Sequence, residues 1–362
     1  MSGMSMPRPG SIALGSRGTR VDAVPAAGSC GRRDRTCRVG ELMTTSDTRT
    51  RLREDDRTFS HPALLYQGPW EYLSGTIPFI LEGLAADQPV VAAVPGPRLE
   101  LLREHLGEAA ERVGLLDMGV AGRNPGRIIA EVLRAAADAH PGRRVRIIGE
   151  PIWPGRSDVE YPACVQHEAL INTAFRGRDV TILCPYDVVG LSPAVLADAV
   201  ATHPTLIQGG LTWPSPGYAP ERIVAEHNVP LPEPVSPVVV VFGSTQLGCA
   251  RRRAREFAEA AGLGVDQADD VVLIVGELSA NSVEHGGGLG VLRLWTADGH
   301  LVCEVHDPGV IDDPLIGRHP ATQHQLAGRG LLMVNYLADL VRLHTGPDGT
   351  TVRAYLRLPT RD

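Results

Sequence analysis

Apolar residues set a strand–helix rhythm along the middle of this chain. Short apolar runs at 89–94 (PVVAAV), 113–118 (VGLLDM), 144–150 (RVRIIGE) and 179–187 (DVTILCPYD) read as buried strands. Between them lie PRLELLREHLG, PGRIIAEVLRAAADAH and QHEALINTAF, segments whose pattern is helical. The alternation predicts a parallel sheet with helices on its faces, spanning 59–208. In such sheets ligands sit at the carboxyl ends of strands. That puts Gly149, Glu150 and Pro151, with Cys184, Pro185, Tyr186 and Asp187, on the functional edge. The plainer reading is that these residues simply form loops.

The pattern changes after His203. Residues 209–236 (GGLTWPSPGYAPERIVAEHNVPLPEPVS) are rich in Gly and Pro at both ends and predict an extended, semi-rigid connector. A second domain is expected over 237–362. It opens with a strand, VVVVFG at 238–243, and a basic amphipathic helix, CARRRAREFAEAAG. A further helix carries GELSANSVEHG at 276–286, where Glu277, Asn281 and His285 stand four residues apart. Positions i and i+4 stack one turn above another, so a carboxylate, a carboxamide and an imidazole share one ridge. Val271, Val272, Ile274, Val275 and Leu278 would face the core. Next come the strand-like LVCEVH, the turn DPG at 307–309, a glycine-flanked helix start AGRGLLMV at 327–334, and DGTTVRAYLRLP at 348–359.

This order of motifs resembles the GHKL ATPase fold, shared by histidine kinases, gyrase and the anti-sigma-factor serine kinases. The resemblance covers about 237–358 and implies a C-terminal two-layer α/β sandwich that binds ATP with Mg2+. Within it, the carbonyl oxygen of Asn281 suits a magnesium ion shared with phosphates. Asp307, acceptor-only when ionised, takes the adenine amino group, and Gly309 lets the backbone approach the base. Gly328, Arg329, Gly330 and Leu331 open a helix whose free N–H groups favour phosphate. Thr350, with Thr351 beside it, adds a hydroxyl near the adenine. Glu277 is then the residue that activates a water or a substrate hydroxyl. The chain departs from the family at Ile311, where a second glycine often sits. It departs again at Leu326 and Ala327, where the serine kinases tend to carry an arginine; Arg318 and Arg329 are the candidates to reach the γ-phosphate instead.

The compact layout is similar to the anti-sigma serine kinases. VPLPEPVSPV at 229–238 is too proline-rich for the helical hairpin a histidine kinase needs. That similarity implies a sigma factor and a STAS-type antagonist protein as partners, with phosphorylation of Ser/Thr on the antagonist, and leaves a homodimer open. Two alternatives stand beside it: a catalytically weak or inactive ATP-binding partner switch, and an atypical histidine kinase. The first half of the chain resembles the MEDS sensory domain through HPALLY, GEPIWPGRS, HEALINTAF and CPYD. This implies a degenerate RecA-like sheet, with His61, His167 and Glu168 as its polar candidates.

Composition narrows the chemistry. The 35 basic residues are all arginine, which excludes P-loop, Schiff-base and eukaryotic-type kinase mechanisms that need lysine. A net charge of −7 argues against a nucleic-acid binder. The one dense basic cluster, Arg251–Arg253 with Arg255, reads as a solvated helix face or a docking surface for an acidic partner. Six widely spaced cysteines without a C-x-x-C pair show neither a disulfide framework nor metal-ligand spacing, as expected of a cytoplasmic protein. Residues 1–58 lack periodicity and are expected to be a disordered tail, with Met43 an alternative start.

Overall fold

The computed structural model describes residues 59–320 and 329–359; the expected tail over 1–58 lies outside them. The first sheet has seven strands in the order β3-β2-β4-β5-β1-β6-β7. They are β1 (Pro62–Tyr66), β2 (Val90–Val94), β3 (Gly114–Asp117), β4 (Val145–Gly149), β5 (Val180–Asp187), β6 (Thr205–Gln208) and β7 (Leu211–Pro214). Strands β1 to β6 pair in parallel, as the alternation demands, and β7 adds antiparallel at the edge. The crossovers are α1 (Gly68–Ala85), α2 (Gly96–Leu106), α3 (Met118–Ala121), α4 (Pro125–Ile128), α5 (Ala135–Asp138), α6 (Tyr161–Ala174) and α7 (Pro193–Thr202). A π-helical turn, Ile129–Arg134, joins α4 to α5. Successive side chains of a strand point to opposite faces. Accordingly Ile147 enters the core under α4 and α6 while Ile148 enters the core under α1 and α2.

The expected connector is in part a folded extension of this domain. Gly209 and Gly210 both hold positive φ (56° and 78°), which is hairpin-turn chemistry and not linker flexibility. They return the chain as β7, and α8 (Pro220–Glu226) follows, burying Ile223 against α6 and α7. The stretch from His227 to Pro237 carries no helix or strand.

The second sheet has five antiparallel strands in the order β11-β12-β10-β9-β8. They are β8 (Val238–Gly243), β9 (Leu289–Ala297), β10 (His300–Asp307), β11 (Leu340–Gly346) and β12 (Gly349–Arg357). One face is covered by α9 (Leu247–Ala260), α10 (Val265–Glu284) and α11 (Gly330–Leu337), which makes the two-layer sandwich expected. Ala250, Ala254 and Ala258 form a small-residue stripe on α9 that lets α10 lie close, with Arg251, Arg252 and Arg253 left exposed. Val271, Ile274, Val275 and Leu278 of α10 are buried as their spacing predicts, and Val272 is half-buried.

The opposite face of this sheet carries a buried ion cluster. Register sets Glu304 opposite Arg293 on β9 and Arg353 on β12. Glu304 accepts from Arg293 Nη1 at 2.8 Å and from Arg353 Nε at 2.7 Å, while Arg353 Nη2 donates to Pro232 O at 2.7 Å. The cluster thereby straps the 227–237 stretch across the sheet. Glu304→Ala leaves Arg353 buried without its counter-charge and should cost about 3–5 kcal/mol. The check is urea unfolding: the midpoint falls at unchanged slope. A loss under about 1 kcal/mol would mean the pair behaves as a screened surface contact.

Candidate functional site

The two-layer half opens a cavity of about 330 Å3 where the last turns of α10, the end of β10, the start of α11 and the start of β12 converge. Its walls are mostly apolar, with Leu278, Ile311, Leu331 and Val352 among them, and its polar groups are few. An apolar pocket with a few convergent polar groups is the usual design for a small-molecule site.

Asp307 ends β10 and lines the cavity. Its Oδ2 accepts from Ser282 Oγ at 2.6 Å and its Oδ1 from the Gly309 N–H at 2.9 Å. Two donors hold one carboxylate, and its remaining lone pairs can accept from a ligand amino group. Close packing fixes this geometry. A Cβ on Gly309 would come within 2.7 Å of Gly286 Cα, and one on Gly349, at φ +112°, would fall 2.1 Å from the Asp307 carbonyl oxygen. Thr350 is buried on the cavity and donates to Gly309 O at 2.8 Å. Thr351 is a correction: strand alternation turns it to the other face of β12, where its Oγ1 lies 3.0 Å from His306 Nδ1.

Asn281 and Gly330 also line the cavity, and Glu277 stands beside them. A Cβ on Gly330 would fall 2.6 Å from Glu277 Oε2 and 3.4 Å from Asn281 Oδ1. Glycine here leaves a cradle between α10 and the amide end of α11, where free N–H groups favour anions. Asn281, through its carbonyl oxygen, is the side chain that would hold a magnesium ion here, and the ion would supply charge to offset that of the phosphates. Leu331 lines the cavity, Arg329 is exposed at the head of α11, and Gly328 lies outside the described residues. His285 is also a lining residue, but it caps α10 and does not continue the ridge; its side chain is exposed. Arg318 does not reach the cavity. It is tucked toward Cys164 of α6, with burial pulling its pKa down to about 10.

The two halves of the chain meet tightly behind this cavity, through contacts with no local pattern in the residues. Asn124, the cap of α4, is fully buried. Its amide donates to the Asn335 backbone oxygen at 2.8 Å and side-chain oxygen at 3.1 Å, and its Oδ1 accepts from Val341 N at 3.3 Å. Asn335 Nδ2 in turn donates to Gly317 O at 3.0 Å. Leu315, from the segment that follows the cavity-lining Ile311, is buried in the core of the first domain. Asn228 pairs with both backbone groups of Thr345, whose hydroxyl is 2.9 Å from Thr350 Oγ1 and accepts from Ile311 N at 3.0 Å. Arg342 donates to Val159 O at 2.7 Å, just before α6. Ser282 and Asn124 are the functional residues that sequence reasoning missed. One adds a single hydroxyl to a helix already rich in polar residues, and the other is an ordinary N-cap until its partner across the interface is known.

The expected ligand edge of the parallel sheet also carries a polar cluster. Glu150 is buried after β4, with Tyr66 Oη at 3.4 Å, and burial pushes its pKa up to about 8. Arg98 donates to Tyr66 Oη at 3.0 Å and lies 3.7 Å from Asp187. Among the described residues no helix is long and apolar enough to cross a membrane.

Comparison with known proteins agrees with both architectures. Residues 60–204 match the family model of MEDS, the methanogen/methylotroph DcmR sensory domain, and residues 243–356 match that of the histidine kinase-like ATPase domain. No curated protein sequence matches the chain. Similar solved structures include the RsbU and RsbW domains of Rv1364c from Mycobacterium tuberculosis, at 25% identity over 35% of this chain and 34% of that one, with a TM-score of 0.27. This chain therefore spans about a third of that protein's length. The SiaB–SiaC complex from Pseudomonas aeruginosa matches at 17% identity over 32% of this chain and 88% of that one, TM-score 0.27. The histidine kinase domain of the E. coli osmosensor EnvZ matches at 17% identity over 36% and 95%, TM-score 0.21. The two family models and the sheet topology agree: the first half of the chain matches the MEDS sensory domain and the second half matches the histidine kinase-like ATPase domain.

Proposed function

We propose that the protein is an ATP-dependent anti-sigma regulator, in which the sensory half sets the state of an ATP-binding half that engages partner proteins. The observation that carries the reading is that one mostly apolar cavity is lined by both Asp307, suited to an adenine amino group, and Asn281 with Gly330, suited to phosphates and magnesium. In the kinase form of the reading, a sigma factor and a STAS-type antagonist are the partners. A serine or threonine hydroxyl of the antagonist attacks the γ-phosphorus as the bond to the β-phosphate oxygen breaks. Glu277 takes the hydroxyl proton, phosphoserine or phosphothreonine forms, and ADP leaves. Asn281 holds the magnesium, whose charge offsets that of the phosphates.

A second reading, a switch in which ATP shapes the partner surface and no phosphate moves, is favoured by one observation. Arg318 is not among the residues that line the cavity, and its electrostatic neighbour is Cys164 of α6. The atypical histidine kinase is disfavoured by the 227–237 stretch, which leads into β8 without the phosphoacceptor helices.

Three substitutions separate these readings. Asp307→Asn, measured by calorimetry with ATP and magnesium, should weaken binding about 10- to 100-fold, the worth of a charged hydrogen bond. An unchanged dissociation constant would place the nucleotide elsewhere. Glu277→Ala should keep ATP binding while lowering phosphotransfer to the antagonist by on the order of 100-fold, the scale of a lost general base. If wild type itself transfers no phosphate yet changes partner affinity with ATP, the non-catalytic switch is correct. Asn281→Ala should impair binding and transfer together, and binding that becomes insensitive to magnesium is the signature to look for.

A further inference from the structure

Apart from the Asp307 cavity, the sensory domain buries a second cluster of chemically active groups. His61 precedes β1, Glu168 lies in α6, Cys184 in β5, and His203 follows α7. One ligand-type atom from each lies within 4.8 Å of all the others, the only such group among the described residues. The His61, Glu168 and His203 side chains are 0% exposed. His61 Nε2 is 3.3 Å from Glu168 Oε2 and 3.3 Å from Cys184 Sγ, and His203 Nε2 is 3.1 Å from the same carboxylate oxygen.

Proton positions show what these atoms are arranged for. Asn172 Nδ2 donates to Ala169 O at 3.1 Å and Thr202 O at 2.8 Å, which fixes its amide. Its Oδ1 therefore faces His61 Nδ1 at 3.2 Å, and that nitrogen must carry the proton. His203 Nδ1 lies 2.9 Å from Ala199 O, an acceptor only, so it too is the protonated nitrogen. In both neutral rings the Nε2 lone pair then points at a carboxylate oxygen. Lone pairs converging on a buried anion repel unless a positive charge lies between them.

We propose that His61, Glu168, Cys184 and His203 bind one divalent cation of the zinc class in tetrahedral coordination. Zinc bonds of about 2.0–2.3 Å put ligand atoms roughly 3.3–3.8 Å apart in a tetrahedron; His61 lies 3.3 Å from both Glu168 and Cys184, His203 lies slightly closer to Glu168 at 3.1 Å, and all four ligand atoms are within 4.8 Å of one another. Two neutral imidazoles, a carboxylate and a thiolate sum to two negative charges, which a divalent ion balances in the dry interior. Binding displaces the thiol proton of Cys184, which burial otherwise holds in place. Asn172 and the Ala199 carbonyl orient the two rings from behind, the outer-shell arrangement typical of metal-bound histidines. The mixed nitrogen, oxygen and sulfur set disfavours magnesium and calcium, which prefer oxygen alone. The four ligands come from four separate segments, so one ion would pin β1 and β5 to α6 and to the end of α7.

The test uses the full chain, stripped with a chelator and titrated with Co2+. One Co2+ should bind per chain, with the intense visible bands of tetrahedral cobalt and a thiolate charge-transfer band; excess Zn2+ should erase both. Cys184→Ser, nearly isosteric, should abolish the charge-transfer band. Asn172→Ala should weaken Co2+ binding about 10- to 100-fold without changing the band positions. A wild-type chain that binds no Co2+, or spectra unaltered by Cys184→Ser, would overturn the proposal. So would a nitrogen NMR spectrum of the metal-free and zinc-treated chain showing the same doubly protonated His203. If His203→Ala fails to fold, the Cys184→Ser spectrum still decides.

Discussion

The interface behind the Asp307 cavity turns on one buried carboxamide. Asn124 caps α4 of the sensory domain, yet it spends its amide on the backbone and side chain of Asn335 in α11 and accepts from Val341 in β11. A buried polar group left unpaired costs about 1–3 kcal/mol, so these bonds hold only while the two domains stay together. Asn335 passes the connection to Gly317, and Leu315 anchors the same segment in the sensory core. That segment begins at the wall of the Asp307 cavity, and α11 contributes Gly330 and Leu331 to it. A change in the sensory domain therefore has a direct physical route to the cavity, through paired groups and not through a flexible tether.

On the ATPase side the constraint is closeness. The end of β10, the end of α10 and the start of β12 meet at Gly286, Gly309 and Gly349, where a methyl group would overlap the Asp307 side chain at the first and backbone at the other two. This lets Ser282 and the Gly309 amide hold both oxygens of Asp307. The Glu304 cluster on the far face fixes the register of β9, β10 and β12 and so sets where Asp307 falls at the strand end. Fold stability and site geometry share the same strands.

Much of this was legible in the residues. The parallel and antiparallel halves followed from apolar runs and helical spacing, and the residue types at 281, 307, 309, 330 and 350 came together around one cavity. Local pattern failed where a residue's meaning depends on distant partners. The glycine pair at 209–210 suggested a linker, but two positive φ values made it a hairpin, and α8 followed into the core. Thr351 looked equivalent to Thr350 until the pleat separated them. His61, Glu168, Cys184 and His203 have no motif spacing, since parallel strand crossovers, and not sequence proximity, assemble them. Asn124 lies 211 residues from its partner Asn335.

The central claim is that nucleotide at the Asp307–Asn281 cavity is felt across the Asn124 junction. Hydrogen–deuterium exchange on the full chain, with and without ATP and magnesium, measures it most directly. The account predicts slower exchange in the cavity segments around 281–286, 307–311 and 330–334, together with a change at 124–128 in the sensory domain. Protection confined to the ATPase half, with 124–128 exchanging identically in both states, would contradict it.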